Sequence, residues 1–231
     1  MTLALGATGS ASQFDCSIRL MRRVIPAVGC GLPAVALDDP ATAAWVRSHG
    51  VTVTAHVDDE LDLAQFNGIR PVQIVFRCDA AVGAIRRAAR LGVSRFVVAT
   101  PPQMARLAEC AQQTKYVYLD DQAPLLLGDR TLRVIGLHCD VDDSGGAVEW
   151  ASAVERLLCR AALLKTCGWS IRRIALSGGP IQMWCSDPAS ELMSIVHAVD
   201  DAMRDGCERW QLTRPSVSLS PLTVIPGAAA A

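Results

Sequence analysis

The chain has few of the sequence features that mark several broad classes of protein. No block of lysines and arginines occurs in it, and the formal net charge is -1, so nucleic acid is not expected as a partner. No apolar run reaches the roughly 18 residues of a membrane-spanning helix, so no membrane association is expected. The nine cysteines form no CxxC pair, and no spacing supports a zinc site.

An export signal is also missing from the first residues. MTLALGATGSASQ has neither the charged start nor the long apolar stretch that secretion needs. We therefore expect a cytoplasmic protein whose cysteines are reduced and mostly buried. Hydrophobic residues make up 51% of the chain and charged residues 19%, which indicates a large core rather than disorder.

The chain contains eight short, apolar, β-branched runs that alternate with helical segments. The expected strands are residues 33–37, 51–57, 72–76, 95–99, 116–119, 133–143, 173–177 and 210–213. Such strands are buried on both faces, which favours a closed (β/α)8 TIM barrel over the competing doubly wound open sheet. We expect one barrel over residues 14–225, a flexible leader (1–13) and a flexible tail (226–231). The segment Phe14–Val28 is amphipathic, and covering the bottom of the barrel is one role that such a segment could have.

Acidic residues and one histidine follow several of these strands. If the barrel is right, its mouth carries Asp38, Asp58, Asp79, Asp120, His138 and Asp140. One interpretation is an acidic pocket for a small cationic or amine ligand, or for a metal. The other is helix capping, which explains the first three of these aspartates without any ligand.

The centre of the site is expected in the sequence RVIGLHCDVDD, which ends the sixth strand. His138 and Asp140 are two residues apart and so face the same side, while Cys139 points to the helices. We predict catalytic roles for these two and for Asp120. A core histidine bonded to backbone is the competing interpretation. Ser177, Gly178 and Gly179 either bind an anion through backbone N–H groups or form a plain turn.

Three stretches resemble the PLP-dependent diaminopimelate and ornithine decarboxylases, whose barrel is shared with alanine racemase. IVFRCDAAVGAIRRAARLGVSRFVV (Ile74–Val98) resembles the third and fourth barrel units of that family. VIGLHCDVDD resembles its HCHIGS strand, and IALSGGPI (Ile174–Ile181) resembles its glycine-rich phosphate loop. The resemblance implies an alanine racemase-like barrel and a PLP cofactor. It covers the barrel alone, and no C-terminal β-domain is expected.

The departures from that family imply that PLP is not used. The family's YAVKAN-like motif corresponds to Pro33–Asp38, so Ala36 stands at the position of the Schiff-base lysine. Asp140 replaces the histidine that stacks on the PLP ring. Arg214 stands in place of the glutamate of the EPGR motif, which pairs with the pyridine nitrogen, so we place Arg214 among the substrate-binding residues. No cofactor is therefore expected.

Two hypotheses of function remain. The first is a PLP-independent enzyme, of lyase or isomerase type, acting by acid/base chemistry on a small amine- or amino-acid-like substrate. The second is a catalytically inactive pseudoenzyme that binds another protein, or forms a homodimer, as a regulatory partner. The acidic cluster favours the first, because its self-repulsion gives no benefit to a purely structural protein.

Overall fold

Eight parallel strands close into a barrel in chain order, with β8 hydrogen-bonded to β1. The computed structural model describes residues 10–79, 81–125, 131–185 and 190–222. The strands are β1 (Gly29–Pro33), β2 (Thr52–Ala55), β3 (Ile74–Arg77), β4 (Arg95–Val98), β5 (Lys115–Asp120), β6 (Leu132–Val141), β7 (Arg173–Gly178) and β8 (Ser216–Ser220). The predicted TIM barrel is confirmed, and the pairing of the last strand with the first excludes the open sheet.

Seven helices surround the barrel in the described residues. They are α1 (Ser10–Val24), α2 (Pro40–His49), α3 (Asp58–Phe66), α4 (Val82–Arg90), α5 (Pro101–Cys110), α6 (Ala147–Thr166) and α7 (Ser190–Arg209). Most of the predicted leader and the whole predicted tail, residues 1–9 and 226–231, lie outside the described residues. None of these helices combines the length and apolar character needed to cross a membrane.

Capping groups define where several helices begin. The Asp39 carboxylate accepts hydrogen bonds from the backbone N–H groups of Ala41 and Thr42, and Pro40 occupies the first helical position of α2. Thr100 and Gln103 form a reciprocal capping box at the start of α5. These caps fix the strand-to-helix turns, and therefore the positions of the side chains at the barrel mouth.

The predicted first strand was misplaced. β1 is Gly29–Pro33, and the apolar run that follows it, Ala34–Asp38, is a 3-10 helix. Ala36 therefore lies beyond the strand rather than at a lumen position within it. The true strand reads GCGLP, which also contains no lysine.

The predicted eighth strand was also misplaced. Trp210–Thr213 follows the end of α7, and β8 begins only at Ser216. The alternation in SVSLS has the period of a strand, with Val217 and Leu219 buried and the serines less buried.

Helix α1 does not cover the bottom of the barrel, the role that was considered for it from the sequence. It packs against α7 and α2, at the place in the helical ring that lies between the last strand and the first. Its apolar face, which includes Phe14, Ile18 and Met21, is buried there. This arrangement leaves the bottom of the barrel without cover from α1.

The lumen on the side of β1, β2, β7 and β8 is lined by small residues. It encloses a cavity of about 240 Å³ whose lining includes Gly29, Gly31, Thr54, Ser177 and Ser218. Most TIM barrels fill this space with large aliphatic side chains. Here a cavity reaches from the lower part of the lumen up to His138.

Candidate active site

The carboxyl ends of four neighbouring strands bring Asp120, His138, Ser177 and Ser220 together. Asp120 on β5 is paired in register with His138 on β6, and Ser177 on β7 is paired with Ser220 on β8. This is the end of the barrel at which TIM-barrel enzymes carry their active sites. The strand order therefore places the four side chains as near neighbours, although 100 residues separate the first from the last.

The His138 imidazole is held from both sides. Its Nδ1 lies 3.2 Å from Asp120 Oδ2, and its Nε2 lies 3.3 Å from Ser177 Oγ. Ser177 Oγ is in turn 2.9 Å from Ser220 Oγ. The His138 side chain is only 5% exposed. A carboxylate can only accept, so we assign a proton to Nδ1, which leaves Nε2 to accept from the Ser177 hydroxyl.

Asp120 is held in its charged form. Burial opposes its ionisation, but its contacts outweigh this effect and place its pKa below the ordinary range of an aspartate. These contacts are the hydrogen bond with His138, the Gln122 backbone N–H and the positive charge of Arg77. Asp120 is therefore a carboxylate at neutral pH, and it fixes the tautomer and the orientation of the imidazole.

Arg77 reaches across the barrel mouth from β3 to β6. Its Nη1 and Nη2 donate to the two Asp140 carboxylate oxygens at 2.7 and 2.6 Å, a bidentate pair. Burial alone would lower the pKa of Arg77, but the hydrogen bonds to Asp140 outweigh it and raise the pKa. Asp140 also lies 3.4 Å from His138 Nε2. Its main partner is therefore Arg77, and the imidazole is its second neighbour.

The polar network continues to β2 through Asp79, which follows β3. The Asp79 carboxylate lies 3.5 Å from His56 Nδ1 and 3.8 Å from Arg77 Nε. Burial opposes its ionisation, but the hydrogen bond with His56 and the charges of His56 and Arg77 lower its pKa overall. Asp79 is thus a carboxylate on the rim of the mouth.

A cavity of about 330 Å³ opens above this network. Five carboxylates and two guanidinium groups line it: Asp120, Asp121, Asp140, Asp142, Glu149, Arg77 and Arg156. Of the predicted mouth residues, Asp120 and Asp140 are among these carboxylates. In the described parts of the chain, no three His, Cys, Asp or Glu side chains come together in an arrangement that could hold a metal ion.

Two of the predicted substrate-binding aspartates do not join the site. Asp38 is exposed at the end of the 3-10 helix, and its neighbour Asp39 is the residue that caps α2. Asp58 is in the first turn of α3 and pairs with Arg87 of α4 at 3.5 Å. Both predictions fail because the chain turns from strand to helix before these side chains can face the lumen.

The predicted role of Arg214 fails for a different reason. Arg214 precedes β8, so it lies at the opposite end of the barrel from His138, and it pairs with Asp200 of α7. Ser177 does belong to the site, whereas the two glycines after it are buried in the surrounding chain. A Cβ on Gly178 would lie 2.7 Å from Trp150, and the Gly179 carbonyl accepts from the Leu222 N–H.

Cys139 points outward to the helices, as predicted, but it does have the basic neighbour that the sequence analysis did not find. Arg156 Nη2 lies 3.5 Å from its sulfur, and the thiol donates to Asp121 at 3.2 Å. Burial and the Asp121 carboxylate raise the pKa of the Cys139 thiol to about 12. It is therefore not a thiolate nucleophile.

Three residues of the network were missed by sequence reasoning: Arg77, His56 and Ser220. Each lies at or just after the carboxyl end of a strand. That position was the available signal for Arg77 and His56. Ser220 could not be found in this way because β8 had been misplaced.

The barrel is similar to the corresponding part of several decarboxylases of known structure. Lysine decarboxylase from Selenomonas ruminantium is 15% identical, with a TM-score of 0.73, and the match covers 92% of this chain and 60% of that one. Diaminopimelate decarboxylase from M. jannaschii, in complex with L-lysine, is 14% identical with a TM-score of 0.74, over 92% and 59% of the two chains. A structure of SrLDC in complex with PLP and cadaverine is 14% identical with a TM-score of 0.73, and the match covers 92% of this chain and 59% of that one.

The chain thus spans about 60% of the length of these proteins and has the fold of their barrel. No protein-family model matches the sequence, and no curated protein matches it either. At such low identity, the likeness to the decarboxylases concerns the fold alone.

The residues present do not fit a PLP molecule held covalently in this barrel. Such a bond needs a lysine in the lumen, and the chain has only Lys115 and Lys165. Lys115 begins β5 at the bottom, where its Nζ donates to the backbone carbonyls of Ala89 and Val93. Lys165 lies late in α6, and its Nζ donates to the Gln211 carbonyl. Neither amine reaches the mouth.

Proposed function

We propose that this protein is a PLP-independent enzyme that acts by acid/base chemistry on a small amine- or amino-acid-like substrate at the barrel mouth. The observation that carries the proposal is the hydrogen-bonded series Asp120–His138–Ser177 at the carboxyl ends of three adjacent strands. No step in this proposal involves PLP, because neither lysine can hold it.

His138 is the proposed general base and acid. With a proton on Nδ1 shared with Asp120, its Nε2 carries the lone pair that can take a proton from a bound molecule. Asp120 stabilises the imidazolium that results and is therefore a positioning residue. Ser177 donates to Nε2 when no substrate is bound, and it can turn to Ser220 when a substrate takes its place.

The charges at the mouth favour a ligand that carries an ammonium group. The five carboxylates around the cavity exceed the two guanidinium groups, so the local potential attracts cations. The Arg77–Asp140 pair also offers both charges side by side. An α-amino acid could exchange into this pair, with its carboxylate on Arg77 and its ammonium on Asp140.

A second candidate, a pseudoenzyme that binds a protein or a second copy of the chain, is supported by a different observation. The His138 side chain is 5% exposed, and the Arg77–Asp140 pair lies across the mouth. A mouth filled by its own side chains is what a non-catalytic barrel would show. The two candidates therefore differ in whether His138 exchanges protons with a bound molecule.

Hydrogen–deuterium exchange into a panel of amines and amino acids distinguishes them. The protein is incubated in D2O without PLP, and loss of a carbon-bound proton from each compound is followed by proton NMR. We expect exchange into at least one compound, lowered about 100- to 10,000-fold in His138→Gln. The matched control is His197→Gln, since His197 is exposed on α7, where its Nδ1 lies 2.7 Å from the Met193 carbonyl oxygen.

Two results would overturn the enzyme proposal. Equal exchange in wild type and His138→Gln would place the chemistry elsewhere. Saturable binding of a compound or partner with no exchange into any member of the panel would support the pseudoenzyme. The melting temperature of His138→Gln must match that of the wild type, and Asp120→Asn serves as a second variant if it does not.

A further inference from the structure

A second cavity, of about 790 Å³, lies at the amino-terminal ends of the strands, at the other end of the barrel from His138. Its lining includes four arginines: Arg95 of β4, Arg133 of β6, Arg172, and Arg173 of β7. Two aromatic side chains, Tyr116 and Trp169, also line it. Helix α1 does not cover this end, since it packs in the helical ring.

Among the described residues, no carboxylate compensates the charge of this cavity. No aspartate or glutamate is among its lining residues, and none of the ion pairs between described residues includes any of the four arginines. The formal net charge of -1 therefore conceals a separation of charge, with an acidic mouth and a basic bottom. Like charges gathered around one cavity repel each other, and a bound anion would relieve that repulsion.

Arg95 has a buried N–H group that a bound anion could satisfy. Its Nη2 donates to the Val72 carbonyl, but its buried Nε has no hydrogen-bond partner among the described residues. Burial lowers the pKa of Arg95, and the nearby charge of Arg173 lowers it further, against the effect of Tyr118. A buried N–H group without an acceptor is costly, and an anion oxygen in the cavity would provide one.

Arg95 and Arg173 also line the lumen cavity, so the two spaces adjoin. Arg173 Nη1 lies 3.4 Å from the Tyr118 hydroxyl, which lines the lumen cavity as well. A molecule with its anionic end at the arginines can therefore place an uncharged part against Tyr116 and Trp169, or upward into the lumen.

We propose that the arginine cavity binds a small phosphorylated molecule, with its phosphate held by Arg95, Arg133 and Arg173. The planar guanidinium group matches phosphate oxygens in bidentate geometry, and it stays charged at any physiological pH. The volume exceeds what a free inorganic ion needs, so the ligand class is a phosphate ester with an organic part. The site is separate from the proposed acid/base site and does not depend on it.

Isothermal titration calorimetry with pyrophosphate and with AMP tests the proposal. We expect saturable one-to-one binding of both probes, which weakens as salt is raised. Arg173→Gln and Arg133→Gln should each weaken binding about 10- to 100-fold, the effect of losing a charge-assisted contact. Both side chains are largely exposed, so folding should survive. Arg204→Gln is the control, since Arg204 pairs with Asp201 and Asp205 on α7 and should change nothing.

Several outcomes would overturn this inference. The absence of saturable heat with either probe would do so, as would equal weakening by the Arg204 control. Tighter binding of citrate than of pyrophosphate would replace the phosphate assignment with a polycarboxylate. Affinity for single-stranded DNA that rises with its length would indicate a nucleic-acid surface instead. Pyrophosphate binding is instead expected to be unchanged in His138→Gln, because His138 does not line the arginine cavity, and a loss of binding in that variant would contradict the separation of the two sites.

Discussion

Replacing Arg77 by methionine removes the ion pair that spans the barrel mouth. Met keeps much of the length and apolar volume of the arginine stem but cannot donate a hydrogen bond. Asp140 would lose two charge-assisted donors at once, the Nη1 and Nη2 groups at 2.7 and 2.6 Å. Asp79 would lose the weaker contact from Arg77 Nε at 3.8 Å.

The exposure of the two partners sets the size of the expected loss. Removing one partner of a fully buried pair costs about 3–5 kcal/mol. An exposed pair contributes about 0–1 kcal/mol. The Arg77 side chain is 14% exposed and that of Asp140 is 34% exposed, so water can solvate part of the orphaned carboxylate. We therefore expect a loss of about 2 kcal/mol, between the two limits.

Urea unfolding at neutral pH measures this loss, which corresponds to a fall of about 4–8 °C in melting temperature for a chain of this size. The control is Arg204→Met, whose side chain is 59% exposed, and it should cost no more than about 0.5 kcal/mol. The double variant Arg77→Met with Asp140→Leu should recover most of the loss, because no unpaired charge remains. If Arg77→Met costs no more than Arg204→Met, the pair does not hold the mouth together.

Three further predictions concern acid stability, packing and cofactor binding. Because the pKa of Asp120 is lowered in the folded protein, its ionisation stabilises the fold above the ordinary aspartate pKa of about 3.9, and this stabilisation is lost as the pH falls through the pKa of the folded state. Asp120→Asn should therefore make the urea midpoint of unfolding less dependent on pH in the acid range. Gly136→Ala should lower the free energy of unfolding by about 1–3 kcal/mol, because the added Cβ would lie 2.6 Å from the Tyr118 ring. Gly83→Ala, with open space around the added Cβ, should instead stabilise α4 by about 0.5–1 kcal/mol, and thermal unfolding measures both changes. Incubation with PLP followed by borohydride should give no reduced adduct on either lysine. A visible absorbance band before reduction, with a stoichiometric adduct after it, would contradict the conclusion that neither lysine holds PLP.

The number and order of the barrel units could be predicted from sequence because buried parallel strands give short apolar runs. The position of the first strand could not be predicted, because GCGLP has no β-branched residue while the following AVAL has one. The glycines are needed for close approach in the lumen: a Cβ on Gly29 would lie 3.0 Å from the Ser218 Cβ, and one on Gly31 3.1 Å from that of Ser220. Lumen packing thus overrides β-propensity here.

The meeting of Asp120, His138 and Asp140 could also be predicted, since side chains at the carboxyl ends of adjacent strands must be neighbours. The balance of positive and negative charge at the mouth could not be predicted from the sequence. Arg77 is one arginine among many in the chain, and only its position at the end of β3, facing across the lumen, makes it the partner of Asp140. The basic cavity escaped notice for the same reason, because its arginines come from three separate strands.

The central claim is that His138 is a base held in one tautomer by Asp120, and nitrogen-15 NMR of the histidine rings tests it most directly. The chain has only four histidines, so the spectrum of His138→Gln assigns the His138 signals by their loss. For the neutral form of the ring, the geometry predicts a proton on Nδ1, shared with Asp120 Oδ2, and an unprotonated Nε2. In Asp120→Asn this tautomer preference should weaken. A proton found on Nε2 of the neutral ring, or an unchanged tautomer in Asp120→Asn, would contradict the account.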